Sequence, residues 1–68
     1  MPYVKIELLE GRSEEQKARI AQAVTEALVE HGGASAASVF VVFDNVAPGD
    51  WAVGGTLLSR RGARPAGG

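Results

Sequence analysis

Apolar residues alternate with polar ones at the start of the chain, then change to a spacing of three and four. In Tyr3-Val4-Lys5-Ile6-Glu7-Leu8-Leu9, Val4, Ile6 and Leu8 fall on one face and Tyr3, Lys5, Glu7 and Leu9 on the other. That period of two predicts a strand over residues 3–9. Gly11-Arg12 makes a turn. Ser13-Glu14-Glu15-Gln16 then matches a capping box, in which the Ser13 hydroxyl and the Gln16 side chain each bond the other's backbone N–H. Glu14 and Glu15 suit the positive end of the helix dipole. A helix is predicted from Glu14 to Glu30 or His31, with Ile20, Ala21, Val24, Ala27 and Leu28 as its apolar stripe. Lys17, Arg19, Gln22, Glu26 and Glu30 lie mostly off that stripe, and Gly32-Gly33 ends the helix.

After a short connection over 34–37, Ser38-Val39-Phe40-Val41-Val42-Phe43-Asp44-Asn45-Val46 is the strongest strand signal in the chain, rich in β-branched and aromatic residues. It is apolar on both faces, as a parallel strand covered on both sides would be. Strand, helix and strand make a βαβ unit with a right-handed crossover. Ala47-Pro48-Gly49-Asp50 is a turn. Trp51 to Leu58, with its double glycine, reads as a small hairpin or arm that packs on a neighbour. The fold class is therefore α/β: a single βαβ unit with a short C-terminal hairpin over residues 1–61. Residues 62–68, made of Gly, Ala, Pro and Arg, are expected to be a disordered tail.

Size turns this pattern into an argument for self-association. A chain of 68 residues buries only about 60% of the surface it exposes when unfolded. Small domains offset that with disulfides, metals or oligomerisation. Cysteine is absent and His31 is the single histidine, which argues against disulfides, thiolate sites and a His-based metal site. One helix covers one face of a two-stranded sheet, so the other face must meet another subunit. No metal or cofactor is expected. The formal charge is −1, and Arg60, Arg61 and Arg64 lack the interleaved aromatics of a nucleic-acid footprint. No apolar run approaches the roughly 20 residues of a membrane span, and the charged, alternating start does not resemble a signal peptide. A soluble cytoplasmic protein with no nucleic-acid or membrane partner is the expectation. His31, in the last helical turn, reads as a surface residue suited to the helix dipole.

The candidate chemistry begins at Pro2. Aminopeptidases remove Met when proline follows, so the mature chain is expected to start at Pro2, with a secondary amine as its α-amino group. An α-amine titrates near ~7.7–8.0, and burial lowers that value, which makes such a nitrogen a usable acid or base near neutrality. On position alone, Pro2 could equally just open an edge strand, where its missing N–H is harmless. Arg12, at the strand-to-helix turn, can bind a carboxylate bidentately, or be an ordinary surface residue. Trp51 could be plain core packing.

Pro2, the run Leu8-Leu9-Glu10-Gly11-Arg12-Ser13-Glu14-Glu15-Gln16-Lys17 and Trp51-Ala52-Val53-Gly54-Gly55 together resemble the 4-oxalocrotonate tautomerase family, over roughly residues 2–60. The resemblance implies that Pro2 moves a proton between oxygen and carbon in an enol–keto isomerisation of a 2-oxo acid or its enol. It implies that Arg12 binds a substrate carboxylate from a neighbouring subunit, that Leu9 touches the substrate, and that Trp51 takes the place of an aromatic wall keeping the proline dry. It also implies a homohexamer, a trimer of dimers. One departure bears on substrate: the family's Ser-Val-Arg-Val is here Ser38-Val39-Phe40-Val41. Phe40 cannot bind a carboxylate, so it lines the site in favour of a monocarboxylate with an apolar body rather than 2-hydroxymuconate. Val53 stands where the family's dehalogenases carry an acidic residue. Two alternatives stay open: a mixed oligomer whose partner chain supplies the missing arginine, and a non-catalytic assembly homologue.

Overall fold

The computed structural model describes residues 1–61. The expected disorder of 62–68 lies outside the described residues. Strand β1 (Tyr3–Leu9) leads through a turn into helix α1 (Glu14–Gly32), which returns the chain to strand β2 (Phe40–Val46). β1 and β2 are parallel, in a register that pairs Tyr3 with Phe40, Ile6 with Phe43 and Leu9 with Val46. Two further hydrogen bonds close the ladder. The Phe40 N–H donates to the Pro2 carbonyl at 3.0 Å, and the Glu10 N–H donates to the Val46 carbonyl at 3.0 Å. A separate antiparallel hairpin follows, β3 (Ala52–Val53) and β4 (Thr56–Leu57). Gly54 and Gly55 form its turn, with φ of 62° and 87°, values that favour glycine.

The capping box is present in full. The Ser13 N–H donates to Gln16 Oε1 at 2.8 Å, and the Gln16 N–H donates to Ser13 Oγ at 3.1 Å. The helix runs to Gly32, slightly past the expected end, because the left-handed residue that stops it is Gly33 (φ 73°). The half-buried face of α1 contains Lys17, Ile20, Ala21, Val24, Thr25 and Leu28, whereas Ala27 is exposed. At 3.6 residues per turn Ala27 points about 90° from the centre of that stripe, so Thr25 and the stem of Lys17 are covered in its place. β2 starts at Phe40 rather than Ser38. Ala36–Ser38 is a 3₁₀ turn, held by the Ser38 hydroxyl and N–H, which both donate to the Ser35 carbonyl at 2.8 and 2.9 Å. Further 3₁₀ turns occupy Pro48–Asp50 and Leu58–Arg60.

Strand alternation sorts the sheet into two faces. Val4, Ile6, Leu8, Val41 and Phe43 are half-buried on the helix side. On the outer side Tyr3 is 61%, Phe40 48% and Val42 40% exposed. Lys5 stands among them, 3.7 Å from the Asp44 carboxylate and 3.9 Å from that of Glu7. No described residue of the protomer is fully buried. A single helix over a two-stranded sheet does not make a dry core, so the protomer has an apolar outer face in need of cover. Among the described residues no helix is long and apolar enough to cross a membrane.

Candidate active site

The parallel register divides the candidate residues between two ends of the sheet. Pro2 and Phe40 lie at one end. Pro2 is half-buried, and its carbonyl is held by the Phe40 N–H. That bond engages the carbonyl and leaves the position of the nitrogen to the rigid proline ring. Phe40, paired with Tyr3 across the ladder, points to the uncovered face, so a phenyl ring rather than a cation stands beside the start of β1.

Leu9, Arg12 and Trp51 belong to the other end. Leu9 closes β1 and is half-buried. Gly11, at φ 127°, turns the chain back, and Arg12 Nη1 donates to the Leu9 carbonyl at 3.1 Å. This bond fixes one nitrogen of an otherwise exposed guanidinium and leaves its remaining N–H groups available to a carboxylate. A Cβ on Gly11 would meet nothing within 4 Å, so the position demands glycine for backbone reasons alone. Gly11→Ala is expected to lower stability by about 1–3 kcal/mol, read as a lower urea midpoint with an unchanged slope. An unaltered midpoint would show that the turn relaxes freely and that Arg12 is not seated by it.

Trp51 follows the Pro48–Asp50 turn and is half-buried. Its carbonyl accepts from the Leu58 N–H at 2.8 Å, which ties the hairpin down beside it. Around the indole is an open pocket of about 290 Å³ lined by Glu7, Val46, Asp50, Trp51 and Ala52. Val46 is the cross-strand partner of Leu9, so the pocket adjoins the Arg12 end. Sequence reading missed Glu7 and Asp50 as lining residues. Glu7 had been placed only as one outward position of a strand, and Asp50 only as part of a turn. Their positions two residues before Leu9 and directly before Trp51 were the available signal.

Pro2 and Leu9 are separated along the seven-residue strand by roughly 23 Å, at a rise of about 3.3 Å per residue. A guanidinium tied to the Leu9 carbonyl cannot reach the Pro2 nitrogen of its own chain. One protomer thus carries both halves of a possible site, at opposite ends of β1.

Residues 2–61 match the family described as Tautomerase enzyme. The chain belongs to the tautomerase family. The tautomerase is 44% identical over 62 residues to a 2-hydroxymuconate tautomerase of Comamonas testosteroni, an alignment covering 91% of this chain and 98% of the relative. Among solved structures it is similar to TomN, a 4-oxalocrotonate tautomerase homologue in the tomaymycin biosynthetic pathway, with 35% identity, a TM-score of 0.88, and coverage of 96% of this chain and 100% of the other. It is also similar to a heterohexamer 4-oxalocrotonate tautomerase from Chloroflexus aurantiacus, with 37% identity, a TM-score of 0.81, and coverage of 87% and 95%. The resemblance read in the sequence and the βαβ-plus-hairpin fold are both borne out. This tautomerase is an isomerase of the 4-oxalocrotonate tautomerase type.

Proposed function

We propose that this tautomerase, in a form whose first residue is Pro2, isomerises the enol of a 2-oxo acid to its keto form with the Pro2 nitrogen as acid and base. The nitrogen takes the enol O–H proton and the oxygen's electron pair closes the carbonyl. The former C=C pair then accepts a proton on carbon from the Pro2 ammonium, which restores the free amine. Arg12 of a neighbouring copy holds the substrate carboxylate, with Leu9 and Trp51 as the apolar walls beside it. The observation that carries this reading is the seating of Pro2 by the Phe40 N–H at 3.0 Å. It holds Pro2 against the start of β2, at the edge of the outer sheet face that the proposed assembly covers. Phe40, apolar and outward-facing, favours a monocarboxylate substrate with an apolar body over 2-hydroxymuconate. A homohexamer is the proposed assembly.

The test is ketonisation followed by ultraviolet absorbance, on protein whose intact mass places Pro2 first, with phenylenolpyruvate beside 2-hydroxymuconate. Turnover with preference for the monoacid is the expected result. In Arg12→Ala, KM should rise roughly 10- to 100-fold, since a charge-assisted hydrogen bond contributes about 1.5–3 kcal/mol. An Arg12→Ala enzyme with parental KM would remove Arg12 from the site.

A second reading has its own support. Phe40 replaces a residue that the family resemblance would make an arginine, and the Chloroflexus relative is a heterohexamer. A related chain could supply that arginine. An active assembly of this chain alone, seen as one species by native mass spectrometry, would exclude it.

A further inference from the structure

We infer that Glu7 and Asp50 form an electrostatic filter that turns away substrates carrying a second carboxylate. The inference rests on the proposed function and goes beyond it, because the monoacid preference is there assigned to Phe40 alone, at the opposite end of the sheet.

The pocket around Trp51 is where the body of a substrate held by Arg12 would extend. Arg12 Nη1 is bonded to the Leu9 carbonyl, Leu9 is paired with Val46, and Val46 lines the pocket. The Glu10 N–H donates to the Val46 carbonyl, so the Leu9 carbonyl of the same peptide, and Arg12 with it, lies on the side of β1 away from β2. With neighbouring strands about 4.8 Å apart, an anion on Arg12 stands about 10 Å from Val46, within the length of an extended six-carbon acid. The pocket offers Val46, Trp51 and Ala52 as apolar surface, with two carboxylates around it. Glu7 shares the single ammonium of Lys5 with Asp44, at 3.9 and 3.7 Å. Among the described residues no cation lies within 4 Å of Asp50. Arg60, in the turn that lies against the Pro48–Asp50 turn, makes no ion pair with it. The lining of the pocket thus holds two carboxylates and no cation of its own. An apolar or aromatic body meets favourable surface there, whereas a distal carboxylate meets repulsion from one or both side chains. Discrimination of this kind works by disfavouring the wrong ligand rather than by adding contacts to the right one.

The experiment compares kcat/KM for 2-hydroxymuconate and phenylenolpyruvate in the parent, Asp50→Asn, Asp50→Glu and the Glu7→Gln/Asp50→Asn double variant, at low and high salt. Binding of muconate against cinnamate, measured by calorimetry, provides a readout that needs no turnover. Asp50→Asn is expected to raise the diacid-to-monoacid ratio roughly threefold to fivefold at low salt, the size of an exposed charge interaction. The double variant should raise it further, Asp50→Glu should keep the parental ratio, and high salt should narrow every difference. A merely structural role for Asp50 would not follow charge and salt in this way. Parental ratios in both neutralised variants, in turnover and in binding, would overturn the filter. So would an Asp50→Glu ratio as altered as that of Asp50→Asn. Absence of any Pro2-dependent turnover would instead strike the proposed function, and the binding ratios would then decide the filter separately.

Discussion

Replacing Pro2 by alanine in protein that starts at residue 2 is expected to cut kcat for ketonisation by about 10²-fold, the low end of the range for a positioned acid–base group, because alanine still carries an α-amine there but does not hold it in place. The substitution is a clean one. The bond that seats residue 2 uses its carbonyl, accepted from the Phe40 N–H at 3.0 Å, and alanine keeps that carbonyl. The ring is lost, and with it the closed N–Cα bond that holds the lone pair of the secondary amine in one direction. Protein that retains Met1 offers a sharper control. Its residue 2 nitrogen is an amide, whose lone pair is delocalised into the peptide bond and cannot shuttle a proton at neutral pH. It should be inactive while its circular dichroism and assembly match those of the processed form. Undiminished ketonisation by either protein would sink the assignment of Pro2.

The second large effect concerns folding itself. Melting temperature is expected to rise with protein concentration, because no described residue of the protomer is fully buried and the outer sheet face presents Tyr3, Phe40 and Val42 to solvent. For a chain stable only as an assembly, each tenfold dilution weakens association by about 1.4 kcal/mol. Val42→Asp places a carboxylate in the middle of that face, beside Lys5 in the ladder. It should yield a chain that sediments as a monomer and lacks a cooperative thermal transition. Melts at concentrations spanning two orders of magnitude, together with sedimentation velocity, check both statements. A monomer that melts cooperatively at one temperature throughout the series would show that one helix and two strands suffice.

Much of the fold was legible because local signals agreed. Alternation in β1, the Ser13–Gln16 box, the helical stripe and the β-branched run of β2 each point to one structure. One misplacement came where a local hydrogen bond competed with the pattern. Ser38 leaves the strand because its hydroxyl and N–H both serve the Ser35 carbonyl. Ala27 entered the apolar stripe by its spacing of seven from Ile20, but its angle around the helix takes it off the half-buried face. At the candidate site, the residue types were readable and their grouping was not. Pro2 and Arg12 are close in sequence yet at opposite ends of β1, a separation that exists only once the strand is extended. The pocket joining Glu7 to Asp50 depends on the register of β1 against β2 and on the 3₁₀ turn after it, neither of which periodicity specifies.

That separation along β1 has a consequence for inheritance. On the proposed reading, the working unit is the junction between two molecules, so the two halves of the chemistry are not bound to the same gene copy. After a duplication, one descendant can lose the proline end and the other the arginine end, while the junctions that unite the two remaining halves stay whole. Each descendant then depends on the other, and what began as a repeated subunit becomes an obligate pair.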